Sequence, residues 1–324
     1  MRAVWLENQV LSFRENVPEP GLLKGEALVK IRLAGICGTD LELVKGYYPY
    51  RGIPGHEFVG EIVRAPDAPQ RIGQRVVGDI NVGCGTCTDC RAARHKHCRT
   101  RSVLGIKNRD GSFADYLSLP LQNLIPIPQT VSAEAAVFTE PLAAALQIQQ
   151  QIQIGDADSV LVIGAGRLGQ LIARTLASQA GQLTVVARHQ GQQALLSAHD
   201  IDWIQEDGIN DRAFDIVIEA TGSPAGFTMA RQAVRPRGTI VLKSTYRKTN
   251  GSKRPIQLSS LVVDEITVMG SRCGPIAAAL DQLEKQKVDP TELIAKRYFL
   301  NDALAAYEHA AAPGALKILF QITP

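Results

Sequence analysis

The chain has 324 residues, about twice the usual single-domain length, so two domains with separate cores are expected. Its composition, 45% hydrophobic and 21% charged, is that of an ordinary globular protein, and a net charge of +3 is too small to argue for a nucleic-acid partner. The longest apolar runs, such as Val160 to Ala165, are strand-sized and well short of the roughly 20 residues that span a bilayer, so no membrane role is expected.

The opening stretch, MRAVWLENQVLSF, carries Glu7, Asn8 and Gln9 where a signal peptide needs its apolar core, and a cytoplasmic location is expected. Up to about residue 144, Gly and Pro recur among short β-branched runs (ALVKIRLAG, EFVGEIV, QRVVGDI), which predicts a mostly antiparallel β domain. Within it, AGICGTDLEL brings Cys37, Thr39, Asp40 and Glu42, and IPGHEFVGEI brings His56 and Glu57. Singly, such a Cys is usually core and such a His a satisfied turn residue; together they suit a borderline-soft cation. Next comes CGTCTDCRAARHKHC, with Cys84, Cys87, Cys90 and Cys98 in C-x2-C-x2-C-x7-C spacing. Clustered cysteines in a non-secreted chain point to metal rather than disulfides. Four thiolates close a tetrahedral zinc site and leave no open position for substrate, so the site reads as structural. An iron–sulfur cluster is the competing reading. His95 and His97 lie beside Cys98, but four sulfurs already satisfy the metal.

From Ser159 the pattern becomes alternating strands and helices, which predicts a doubly wound parallel sheet. SVLVIG is a strand, RLGQLIARTLASQAG sets Leu168, Leu171, Ile172 and Leu176 on one helical face, and LTVVAR is a second strand. Between the first two, Gly164, Gly166 and Gly169 stand in G-x-G-x-x-G spacing, with Arg167 and Leu168 opening the helix. This is the pattern that seats a pyrophosphate on a helix N-terminus and binds a dinucleotide. The second strand ends Val186-Ala187-Arg188-His189 without the acid that would bind a ribose 2′-hydroxyl, and Arg188 could pair with a 2′-phosphate. That favours NADP, with NAD as the alternative. Further strands are predicted at FDIVIEAT and GTIVLKS, and an edge strand at ITVMG. The run RKTNGSKR, Arg247 to Arg254, has no interleaved aromatic residue and reads as a solvated loop. Arg272 and Cys273 follow the edge strand, with packing or a reach toward the cleft or a neighbour both open. The tail predicts helices at IAAALDQLEKQ and NDALAAYEHA and a strand at LKILFQI; periodicity alone leaves open which domain they join.

Taken in order, GICGTD, PGHEFVG, the four-cysteine lobe, LGIKNRDGSFADYLSLP, TEPLAAAL, VLVIGAGRLGQ and EATGSP resemble the zinc-dependent medium-chain dehydrogenase/reductase family, which includes alcohol, sorbitol and threonine dehydrogenases. The resemblance implies an α/β chain. A GroES-like, mostly-β catalytic domain spans 1–144 with a structural-zinc lobe at 81–101, a Rossmann cofactor domain spans 145–272, and 273–324 returns to the first domain. It implies two zincs per chain and makes Cys37 and His56 ligands of the catalytic one. At the third ligand position, alcohol dehydrogenase-like members have a cysteine where this chain has Glu140, the polyol-like pattern; Glu57 and Glu140 are expected to share the task, one directly and the other through water or exchange. Thr39 matches the hydroxyl that passes on the alcohol proton, and Asp40 a carboxylate that orients the ligand histidine. Glu42 stands where many relatives end the relay with a histidine. Gly38 replaces a phosphate-contacting arginine, which leaves Lys317 and the backbone to meet the pyrophosphate. The implied activity is hydride transfer between a nicotinamide cofactor and an alcohol, polyol or corresponding carbonyl, by a homodimer or homotetramer. Two rivals keep the fold: an inactive dinucleotide-binding protein, and a dedicated reductase of a larger biosynthetic intermediate.

Overall fold

In the computed structural model, which describes residues 1–245 and 258–322, the chain opens on β1 (Ala3–Glu7) and turns through Asn8 and Gln9 into β2 (Val10–Arg14). Both turn residues have positive φ, the geometry that matches the twist of a two-residue hairpin, and β1 pairs antiparallel with β2. The basic run Arg247 to Arg254 lies outside the described residues. By its contacts the chain divides into two units, Met1–Glu140 with Ile276–Pro324, and Pro141–Pro275.

The first unit is organised around β3 (Glu26–Gly35), a ten-residue strand buried along nearly its whole length. Its sheet runs in the order β16 (Ile294–Tyr298), β17 (Lys317–Gln321), β3, β4 (Glu57–Arg64), β5 (Arg75–Gly78), β9 (Leu124–Pro126), with β8 (Tyr116–Pro120) also pairing β3. Every pairing is antiparallel except that of β16 with β17. The tail strand β17 thus pairs with β3, which periodicity had left open. Phe113 packs edge-on against Phe320 and Tyr307, which joins the middle of the chain to its tail in one core. Helices α1 (Gly38–Val44), α3 (Ala133–Ala136), α9 (Ile276–Glu284) and α10 (Ala303–Ala311) belong to this unit. The cysteine lobe hangs from a neck of two-residue strands, β6 (Asn81–Val82) against β7 (Ser102–Val103), and holds the single turn α2 (Thr88–Arg91).

Helix α4 (Thr139–Gln151) leads into the second unit. There six parallel strands lie in the order β12 (Asp202–Ile204), β11 (Gln182–Val186), β10 (Ser159–Ile163), β13 (Phe214–Glu219), β14 (Val234–Leu242), β15 (Thr267–Gly270). This is the doubly wound order, in which the strand order, not the strand direction, reverses between β10 and β13 and opens a crevice there. Helices α5 (Arg167–Leu176), α6 (Gln190–Ser197), α7 (Pro224–Ala233) and α8 (Ser259–Val263) connect the strands. Leu171, Ile172 and Leu176 of α5 are fully buried, as the helical period requires; Leu168, in its first turn, is half-buried. Among the strands that sequence reading does not mark, β12 is only three residues long, and β16 (IAKRY) carries two cations. Among the described residues no helix is long and apolar enough to cross a membrane.

Candidate active site

Gly35 ends β3, and the chain passes through Ile36 into Cys37, which precedes the first turn of α1. Asp40 in that turn is fully buried; its Oδ2 accepts from the Cys37 amide at 2.8 Å and its Oδ1 from the Gly55 amide at 3.2 Å. One carboxylate therefore ties together the loop that carries Cys37 and the loop that carries His56. The same Oδ1 stands 3.4 Å from His56 Nδ1, which leaves Nε2 as the ring nitrogen not directed at Asp40. Cys37, His56 and Glu57 are brought together with their ligand atoms within 4.8 Å of one another. Burial opposes a charge on His56, but the neighbouring Asp40 and Cys37 side chains outweigh it and hold the imidazole pKa well above its ordinary value. The pocket attracts cations.

Glu57 begins β4, opposite Gly35. A Cβ at residue 35 would overlap Glu57 Oε2, so only glycine leaves the carboxylate room. Leu319 of β17 faces the other side of Gly35, which sets Lys317 on the same sheet face. Its ammonium donates to Glu57 Oε2 at 2.5 Å and lies 5.5 Å from the centre of the Phe138 ring. Lys317 is thus 1% exposed and bound to Glu57. Glu57 Oε1 remains buried with no hydrogen-bond partner among the described residues. A cysteine sulfur, an imidazole and an unpartnered carboxylate oxygen form a donor set that fits zinc, and the residues present fit the ion. Glu140 stands outside this trio, half-buried in the first turn of α4. Thr39 is half-buried two residues from Cys37 in the first turn of α1; Glu42, one turn on, pairs with Lys45 at 3.3 Å.

The Sγ atoms of Cys84, Cys87, Cys90 and Cys98 also gather within 4.8 Å of one another. Cys84 and Cys98 each accept a weak hydrogen bond near 3.5 Å, from the Thr86 hydroxyl and the Cys84 amide. Hydrogen bonding from Thr86 brings the Cys84 thiol down to about 5, while burial pushes Cys90 up to about 12. Hydrogen bonding from Thr100 lowers Cys98 too, so the thiolate form is favoured at two corners, and a bound cation would displace the Cys90 proton.

In the second unit a cavity of about 220 Å³ opens at the carboxyl ends of β10, β11 and β13, lined by Gly164, Gly166, Arg188, His189, Glu206 and Thr221 among others. Gly164 has φ +102, and a Cβ on Gly169 would collide with the Gly164 carbonyl, so the loop and α5 meet backbone to backbone. Space is open where a Cβ of Gly166 would stand, at the N-cap of α5. These are the features a pyrophosphate needs. Arg188 lies beside this cavity, and its Nε donates to Glu206. Sequence reading missed Glu206 because the strand before it is so short. Register between the strands brings it there: Val186 pairs with Ile204, so residues two positions beyond each strand end come level.

Residues 23–129 match the family described as alcohol dehydrogenase GroES-like domain, and residues 146–237 the family described as shikimate/quinate 5-dehydrogenase. An L-threonine 3-dehydrogenase of Chelativorans sp. (strain BNC1) is 34% identical over 249 residues, 70% of this chain and 72% of that one. The chain belongs to the zinc-dependent medium-chain dehydrogenase/reductase family. Solved structures carry the likeness over the whole length. A zinc-binding dehydrogenase from Sinorhizobium meliloti 1021 bound to NADP is 28% identical with a TM-score of 0.88, covering 99% of this chain and 98% of that one. An alcohol dehydrogenase from Escherichia coli CFT073 complexed with NADH is 28% identical with a TM-score of 0.86, covering 99% of each. In this member of the medium-chain family, both cysteine-containing clusters fall inside the GroES-like match, and the glycine loop, Arg188 and Glu206 inside the second. Glu140 and Lys317 lie outside both.

Proposed function

We propose that this chain oxidises a small alcohol or polyol, or reduces the corresponding carbonyl, with NADP as the favoured cofactor and NAD as the alternative. Cys37, His56 and Glu57 would hold the catalytic zinc, with Glu140 in reserve through water or exchange, and Cys84, Cys87, Cys90 and Cys98 a structural one. The observation that carries this reading is the Cys37–His56–Glu57 trio, with Glu57 Oε1 buried and unpartnered beside a thiol and an imidazole. When bound, zinc would supply a Lewis acid for the substrate oxygen and the nicotinamide a hydride acceptor at C4.

The protein's own residues do the rest. Asp40 would hold the imidazole ring in the orientation that presents Nε2. Thr39 would relay the proton of the alcohol hydroxyl, accepting it while its own hydroxyl proton passes to Glu42 or to water, as the carbinol carbon gives up hydride. Lys317 would hold Glu57 from behind, its ammonium already committed to that carboxylate. The glycine loop and the N-terminus of α5 would seat the pyrophosphate, and Arg188 the 2′-phosphate. We further read the protein as a cytoplasmic homodimer or homotetramer. None of its six cysteines is in a disulfide, and β15 is an exposed edge of the second sheet, where strand addition would join copies.

Zinc quantification on the purified chain, followed by NADP+ and NAD+ assays over polyols, secondary alcohols and threonine, tests the reading. The expected result is two zincs per chain and turnover that disappears in Cys37→Ser together with one zinc. A single zinc that survives Cys37→Ser and is lost in Cys87→Ser would overturn it.

A further inference from the structure

In a sheet of this order, the residue just past the second strand meets the ribose of a bound dinucleotide. Here that residue is a cation, Arg188, and it already has an anionic partner. Strand β12 runs parallel to β11 with Ile204 beside Val186, so Glu206 comes level with Arg188 and accepts a hydrogen bond from its Nε. Both side chains line the cavity that holds Gly164 and Gly166. They are 60% and 41% exposed, and an ion pair so open to water contributes little and exchanges readily.

Building on the reading of this cavity as a dinucleotide site, we propose that Glu206 is a specificity-determining residue that opposes Arg188 in the choice between NADP and NAD. A 2′-phosphate approaching Arg188 has to displace the Glu206 carboxylate and then remain beside it, anion against anion. A 2′-hydroxyl meets no such penalty, because it can donate to Glu206 while Arg188 stays paired. The acid missing from the end of β11 is thus supplied by the next strand. Arg188 favours the phosphorylated cofactor, Glu206 the unphosphorylated one, and the native pair keeps the preference narrow.

Direct binding of NADPH and NADH, followed by cofactor fluorescence on the full chain without substrate, tests this. Glu206→Gln should tighten NADPH by roughly tenfold through loss of like-charge contact, and Glu206→Ala should do the same while weakening NADH. NADH affinity in Glu206→Gln should stay within about threefold, because the amide oxygen still accepts from a 2′-hydroxyl. Arg188→Gln should move the NADPH-to-NADH ratio the opposite way. If Arg188→Gln shifts the ratio but neither Glu206 variant moves it by more than about twofold, Glu206 has no part in selectivity while the cavity reading stands. If the parent chain binds neither cofactor, the dinucleotide reading fails and the proposal with it.

Discussion

Lys317 and Glu57 meet in a buried place, and among the described residues neither side chain makes a second ion pair. Breaking such a pair from one side leaves the other charge stranded, which costs about 3–5 kcal/mol, whereas replacing both by neutral groups costs far less. Lys317→Met should therefore destabilise the chain by that amount in urea unfolding, and Lys317→Met with Glu57→Gln should recover most of the loss. Equal loss in the single and double variants would mean the pairing is incidental. Sequence reading recognised both residues but gave them separate tasks, since 260 positions separate them and nothing local links a lysine in GALKILF to a glutamate in PGHEFVG. Cys37, His56 and the four clustered cysteines were legible because their chemistry is scarce: a soft cation has few other side chains to choose from.

At the level of elements, the cysteine lobe and the strand starts of the second sheet behave differently. The lobe is held at its neck by only two residue pairs, and Cys90 and Cys98 are the buried hydrophobic residues between Val82 and Val103. With so small a core it depends on its metal. Cys87→Ser should remove one zinc per chain and speed hydrogen exchange through residues 84–98, with strands β10 to β14 unchanged. In the second sheet, Asp215 joins three strands: it accepts from the Ser159 hydroxyl and amide at the start of β10 and from Arg235 in β14. The Ser159 hydroxyl is the main cause that brings this carboxyl from the usual 3.8 to about 2, against the opposing effect of burial. A carboxylate depressed in the folded state stabilises it fully above its unfolded pKa and loses that effect as pH falls through the folded one. Asp215→Asn should thus be less stable than the parent by about 1 kcal/mol or less at pH 7, since the group is water-screened. That gap should close as pH falls from about 4 toward 2, read by urea unfolding of the two proteins side by side.

For the whole molecule, both expected metal clusters lie in the unit formed by Met1–Glu140 and Ile276–Pro324, while the glycine-loop cavity is built entirely from the other. Chelation should therefore lower the thermal stability of the first unit and its hydrogen-exchange protection. Amides of β10 and β13 should keep theirs; loss of protection in both units together would contradict this. The sequence by itself determined the two chemistries. Cysteine spacing and the glycine loop act through residues a few positions apart, and strand–helix alternation follows from local periodicity, so each can be read without a fold. Only the tertiary structure decided which carboxylate joins Cys37 and His56, which anion Lys317 holds, and what faces Arg188. Each of these depends on register between strands distant in the chain, Gly35 with Glu57 and with Leu319, Val186 with Ile204, and register emerges only when the sheets close around their cores.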